Sequence, residues 1–355
     1  MTNTKRTLLQ SAAAVALAAG LGLTSLTANA AEELNFMTWC DHDDPNIIRP
    51  FEEEHGVKVN VKVYELTGAA ISLLEQSRPG DWDVIVVDSA DVIRMGEAGW
   101  LEPLNKSDFP YDDIFDGAET PHLHESGGKL YGVPEKFGFN TMAFDNRTIG
   151  TDGNLSLDVL FDPAMKGRVG VYDYYLPVIK TLGLRRGINP NDFDMDSLEL
   201  VREDLFALKD NTKLVGDIVA TQTALAGGDV DVLVGIAEFV APLQGEKPHL
   251  DWGTPKEGGL RWSQSVGIFK DSQKKDLALK FTQYLLSPEG QARVAMASCY
   301  NAMPVNSKTA LTDEQKKSLR WDKIDEYLNN TYDYGAVDAE LDEAMLELWT
   351  EFLAR

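Results

Sequence analysis

From residue 31 onward, apolar and polar positions change period in a regular order. Leu34–Thr38 (LNFMT) is an apolar run of strand length. Asn46–His55 reads as a helix with a polar face, closed by Gly56, a residue suited to a left-handed helix end. Val57–Tyr64 (VKVNVKVY) alternates strictly, as a strand buried on one face does. Ala69–Gln76 returns to helical spacing, Asp83–Val87 (DVIVV) is a continuous apolar strand, and Ala90–Ala98 is a helix ending at Gly99. Strand, helix, strand, helix, strand predicts a parallel sheet covered on both faces. Such sheets bind ligands beyond the carboxyl ends of their strands. Here those ends are Trp39-Cys40-Asp41-His42 and Asp88-Ser89-Ala90-Asp91, polar and aromatic where a plain turn would suffice.

A second α/β region starts near Asn140, with strands at Arg168–Val171 and Val230–Val234 and a helix through Leu198–Leu208. From about Lys275 the pattern is mostly helical: Asp276–Pro288, Glu289–Ser298, Asp313–Leu319 and Asp338–Leu353. No tandem repeat, low-complexity tract or Gly/Ser linker separates the regions. Two lobes joined by crossing segments that act as a hinge are therefore expected.

Composition narrows the function classes. The chain has 355 residues, with 33 Lys+Arg against 57 Asp+Glu and a net charge of −24. Such acidity argues against nucleic acid and anionic membrane surfaces, because like charges repel, and otherwise serves solubility. With 43% hydrophobic residues the chain is long and apolar enough for a sizeable core. At the N-terminus, Lys5 and Arg6 precede the apolar run Leu8–Thr27 and the small-residue site Ala28-Asn29-Ala30. That order describes a cleavable secretory signal over residues 1–30. No later stretch approaches the roughly 20 apolar residues of a membrane helix. A soluble, exported, periplasmic mature chain is the expectation.

Seven segments carry more specific information: LNFMTWCDH, FEEEHGVKVN, DWDVIVVDS, LYGVPEKFGFNTMAFD, PAMKGRVGV, DWGTPKEGGLRWSQSVGI, and LALKFTQYLLSPEGQARVA followed by CYNAMPVN. In order, from about Leu34 to Asn306, they resemble the periplasmic spermidine/putrescine-binding proteins of ABC importers, within the type II extracellular solute-binding family. The resemblance implies an α/β, two-lobed type II periplasmic-binding-protein fold with a ligand cleft between lobes and a double-crossing hinge. Residues 31–138 plus 264–308 would form lobe 1, and 139–263 plus 309–355 lobe 2. It also implies a monomer without enzymatic activity, cofactor or metal, partnered by a small-molecule amine and the permease subunits of an ABC transporter.

A small organic cation leaving water needs carboxylates for its charge and aromatic faces for its methylenes and ammonium. On the family pattern Trp39 and Trp262 are aromatic walls, Tyr300 a further wall or hydroxyl contact, and Phe137 another ring at the first crossing. Asp41 matches the acid two residues after the strand-end tryptophan, Asp173 an acid of the second lobe, and Ser89 a hydroxyl contact. His42, Asp91 and Glu238 lie beside matched positions, and Asp91 also opens a helix, where capping competes with binding. Gln264 stands where amine binders place an acid. A second-lobe tryptophan is replaced within Val232–Ala237, and Leu176 and Pro177 stand where a further acid belongs. Shorter or modified amines, amino acid-like zwitterions and quaternary ammonium ions are therefore alternatives.

Two other classes fit the residues less well. A ferric-ion receptor on the same fold could use Tyr172, Tyr174 and Tyr175, although tryptophan walls do not suit a hard metal. An exported hydrolase lacks G-x-S-x-G, H-E-x-x-H and C-x-x-C here, and His122-x-His124 reads as exposed loop within PHLHESGG. Cys40 and Cys299 are the single cysteine pair of an exported chain. The family fold brings both near the first lobe's ligand wall and implies a disulfide, with two separate buried thiols as the alternative.

Overall fold

The alternating run after Gly56 pairs along its length with the apolar run before it. β1 (Glu33–Thr38) and β2 (Lys58–Val63) lie parallel, with Glu33 opposite Lys58 and Thr38 opposite Val63. The computed structural model describes residues 31–64, 67–150, 155–335 and 337–355, so the expected signal segment lies outside the described residues. Between these strands runs the helix Pro45–His55. Asp44 caps its start by accepting from the Asn46 N–H, and Gly56 ends it at φ 65°, a conformation that costs glycine least.

Further along come β3 (Val84–Asp88), the short hairpin of β4 (Glu125–Ser126) and β5 (Lys129–Leu130), β6 (Val133–Asn140) and β7 (Met142–Asp145). β8 (Val169–Tyr172), β9 (Thr212–Gly216), β10 (Val232–Val234) and β11 (Leu250–Gly253) follow. β12 (Gly259–Ile268), β13 (Met303–Pro304) and β14 (Thr331–Asp333) complete the described strands. They form two main sheets. The first has the order β13-β6-β12-β3-β1-β2, with β14 added beside β12, and the second has the order β11-β7-β10-β8-β9.

The chain passes between the sheets at two adjacent places. Thr141 alone separates β6 in the first sheet from β7 in the second, and residues 254–258 separate β11 from β12. β6 and β12 are antiparallel neighbours, so the two passages run side by side. β6 is buried along its whole length, which leaves no hydrophobic alternation to mark it in the sequence. The C-terminal stretch divides its contacts. β14 pairs with β12 in the first sheet, whereas the helix Ala339–Ala354 packs on the helices Tyr175–Arg185 and Met195–Asn211 beside the second. One continuous core runs through both sheets, and Glu32–Arg355 forms a single contact-dense unit. Among the described residues no helix is long and apolar enough to cross a membrane.

Candidate ligand-binding site

The site lies where β1, β3 and the passage strands end together. In the ladder, Asp88 of β3 pairs with Gln264 of β12, and Gln264 pairs with Lys136 of β6. Directly paired residues of antiparallel neighbours point to the same face. A carboxyl, an amide and an amine thus stand in one row across three strands.

Asp88 occupies the N-cap position of the helix Ser89–Glu97 without spending its side chain on capping. It is half-buried. Burial first, and then the neighbouring Asp91 carboxylate, push its carboxyl up to about 8. Its charge acts on Tyr64, Tyr174, Tyr300 and Tyr334, whose phenols are pushed well above their ordinary pKa by burial first and further by Asp88. These phenols therefore remain protonated, and they come from both sheets and the C-terminal stretch. Tyr174 meets Tyr172 and Tyr334 edge to face, each at 6.1 Å between centroids. A carboxyl whose charge is felt by four buried phenols offers an ammonium a counter-charge with aromatic groups nearby.

The second wall is built on β12. Trp262 packs edge to face on Tyr300 at 5.9 Å, and Phe239 lies against both. Glu238 accepts from the Trp262 indole N–H at 3.2 Å and from the Phe139 amide at 2.9 Å. Burial pushes its carboxyl up to about 8, against those two bonds, which favour the ionised form. The carboxyl fits because residue 138 is glycine. A Cβ there would collide with Glu238 Oε1 and the Trp262 ring.

Asp41, placed on the sequence as a ligand carboxylate, is turned inward. It is fully buried, paired with the Lys136 ammonium and 3.1 Å from His42 Nδ1. His42 Nε2 lies 2.9 Å from Glu135, and Glu135 and Lys136 are fully buried too. Lys136 Nζ also stands over the Tyr300 ring, 5.0 Å from its centroid. Cys40 and Cys299 are joined by a disulfide with Cα atoms 6.1 Å apart, which ties the turn carrying Trp39 and Asp41 to the segment carrying Tyr300.

The remaining expected residues lie in varied surroundings. Trp39 is half-buried and packs on Tyr64 at 5.0 Å. Gln264 is buried, and its side-chain oxygen has no hydrogen-bond partner among the described residues. Ser89 is buried against Ser265, Oγ to Oγ 2.6 Å. Asp91 sits in the first turn of its helix, where it pairs with Arg94 at 2.6 Å and leaves the cap position to Asp88. Phe137 is a core residue, edge to face with Phe139. Asp173 is directed to the C-terminal helix, where it accepts from the Trp349 indole N–H at 2.9 Å. His122 is exposed, but His124 is not loop surface. It ends the one-turn helix Pro121–His124, buried between the Thr120 carbonyl and Ser265, and burial pulls its imidazole down to about 4.

Asp88 was legible only as part of the strand end Asp88–Asp91, without a ligand role of its own, and Lys136 and Glu135 escaped the sequence reading. The signal for the last two was a Glu-Lys pair inside the apolar run LYGVPEKFGF, where charges need partners.

Residues 46–320 match the bacterial extracellular solute-binding protein family. The chain is similar to the spermidine/putrescine-binding periplasmic protein of Salmonella typhimurium, 25% identical over 305 residues covering 84% of this chain and 86% of that one. It is also similar to spermidine/putrescine-binding periplasmic protein 1 of Haemophilus influenzae, 25% identical over 289 residues, with 81% and 80% covered. Among solved structures, a putative spermidine/putrescine ABC transporter from Listeria monocytogenes superposes with a TM-score of 0.75 at 24% identity, covering 91% of this chain and 99% of that one. A family match over most of the chain, together with two sheets joined by paired passage strands, leads to one conclusion: the chain belongs to the bacterial extracellular solute-binding protein family and has the type II periplasmic-binding-protein fold.

Proposed function

We propose that this protein captures a small organic amine, of the polyamine class or related to it, and delivers it to the permease of an ABC importer. The observation that carries the reading is the Asp88 carboxyl at the end of β3, which among the described residues has no hydrogen-bond donor and whose charge acts on buried tyrosines. Relatives named for spermidine and putrescine support the same ligand class. In this reading the two lobes, 31–138 plus 264–308 and 139–263 plus 309–355, close about the β6 and β12 passages, with Trp39, Trp262 and Tyr300 as walls. The protein acts in the periplasm after loss of residues 1–30, as a monomer, without catalysis and without nucleic acid.

Titration calorimetry of the mature chain against polyamines, monoamines, amino acids and betaines tests it. One amine should bind with unit stoichiometry, and Asp88→Asn should weaken it at least tenfold with the melting temperature of the free protein retained. A panel with no binding amine, or stoichiometric iron or zinc in the purified protein, would remove the reading.

A further inference from the structure

The row Asp88–Gln264–Lys136 is unlike a site for a ligand charged at both ends. Strands about 4.8 Å apart put its outer members roughly 10 Å from one another at the backbone. The acidic end is Asp88. At the other end the acid nearest the row, Asp41, is already spent on Lys136, and Glu135 is spent on His42. All four side chains are fully buried, two acids with two bases. Burial pulls the Lys136 amine well below its ordinary value, but the charge of the pair does not depend on this. Whichever of Lys136 and Asp41 holds their shared proton, the two together carry no net charge.

Lys136 also stands over one of the wall rings, Tyr300, at a place where a second ligand ammonium would seek a face. Between the two ends Gln264, 3% exposed, presents a side-chain oxygen that bonds to nothing among the described residues. A second ammonium brought here could donate to that oxygen, but it would lose its water and find no uncompensated carboxylate for its charge, which is unfavourable. A hydroxyl would donate to that oxygen, and a carboxylate could accept only from the Gln264 amide N–H, with the Lys136 amine behind.

Resting on the amine-binding reading above, we infer that the ligand carries a single ammonium, held at Asp88, and a far end without positive charge that meets Gln264. Lys136 is the specificity-determining residue, an internal base that takes up the Asp41 carboxyl a diamine would need.

The test uses three four-carbon probes on the mature protein: 1,4-diaminobutane, 4-aminobutan-1-ol and 4-aminobutanoate. One of the two single-ammonium probes should bind at least tenfold tighter than the diamine. Lys136→Met frees Asp41 and should shift the ratio at least tenfold toward the diamine. Gln264→Asp should shift it the same way while keeping all four residues of the buried quartet, so the inference stays testable if the lysine variant does not fold. A wild-type preference for the diamine, or a ratio that neither variant moves, overturns the inference while leaving the amine reading in place. Absence of binding by every amine overturns both.

Discussion

Asp88 and Glu238 are both carboxyls pushed up to about 8 by burial, and their different neighbours give them different pH signatures. Asp88 has no donor among the described residues, so an arriving ammonium must supply its counter-charge. Only the ionised form attracts the ligand. Amine affinity should therefore rise with pH, by up to about tenfold per unit below 8, and level off above it. Calorimetry between pH 6 and 9 reads the slope, and Asp88→Asn should flatten it. Glu238 already has its partners, and its effect is on stability. Its folded pKa lies above the unfolded carboxylate value, so the folded state holds the proton longer. Stability is then full at pH values below about 4.5 and is lost as pH rises through about 8. Denaturant midpoints of the ligand-free protein should fall across that window, and less steeply in Glu238→Gln. An equal slope in both proteins would take Glu238 out of the account. At this scale the sequence named Trp262, Gln264 and Tyr300, which do lie together, because ring and amide types at matched positions are visible in a linear string. It could not show that Asp41 is neutralised, since its partner Lys136 sits on a strand far along the chain.

At the scale of elements, the opening strands and helices were legible because their periods are local. Pro45–His55 begins and ends within a residue of the predicted helix, and the helix Met195–Asn211 only extends the expected core of Leu198–Leu208. The passage strands were not legible. β6 is buried on both faces, its Glu135 and Lys136 included, and β12 has polar residues whose burial depends on neighbours from elsewhere. Their packing makes Gly138 a sensitive point. Gly138→Ala forces Glu238 or Trp262 to move, at about 1–3 kcal/mol by analogy with other overpacked sites. A lower melting temperature with a shifted tryptophan emission should report both. The Cys40–Cys299 bond spans a sequence separation of 259 and holds two segments of the wall. The double serine variant should lose about 2–5 kcal/mol in denaturant unfolding. Loss of ligand affinity beyond that of folding would show that the bond also positions Trp39 and Tyr300.

For the whole molecule, residues around Asp88 come from both sheets and from the C-terminal stretch, so a ligand there ties separate parts of the fold together. A ligand at 100 times its dissociation constant should stabilise the protein by about 2.7 kcal/mol. It should also reduce the radius of gyration in solution scattering if closure accompanies binding. The α/β order of the first lobe and the acidic character follow from the chain's own pattern and composition. So does the likeness to extracellular solute-binding proteins, which rests on the string of residues read in order. Each of these depends on neighbours in sequence or on composition, and needs no knowledge of what meets what. Which carboxyl is left for a ligand depends instead on register. Asp88, Gln264 and Lys136 form a row only because β3, β12 and β6 pair as they do, and His42 meets Glu135 across a separation of 93 residues. Charge compensation acts through space over a few ångströms, so the chemistry of this site emerges only once distant segments are packed side by side.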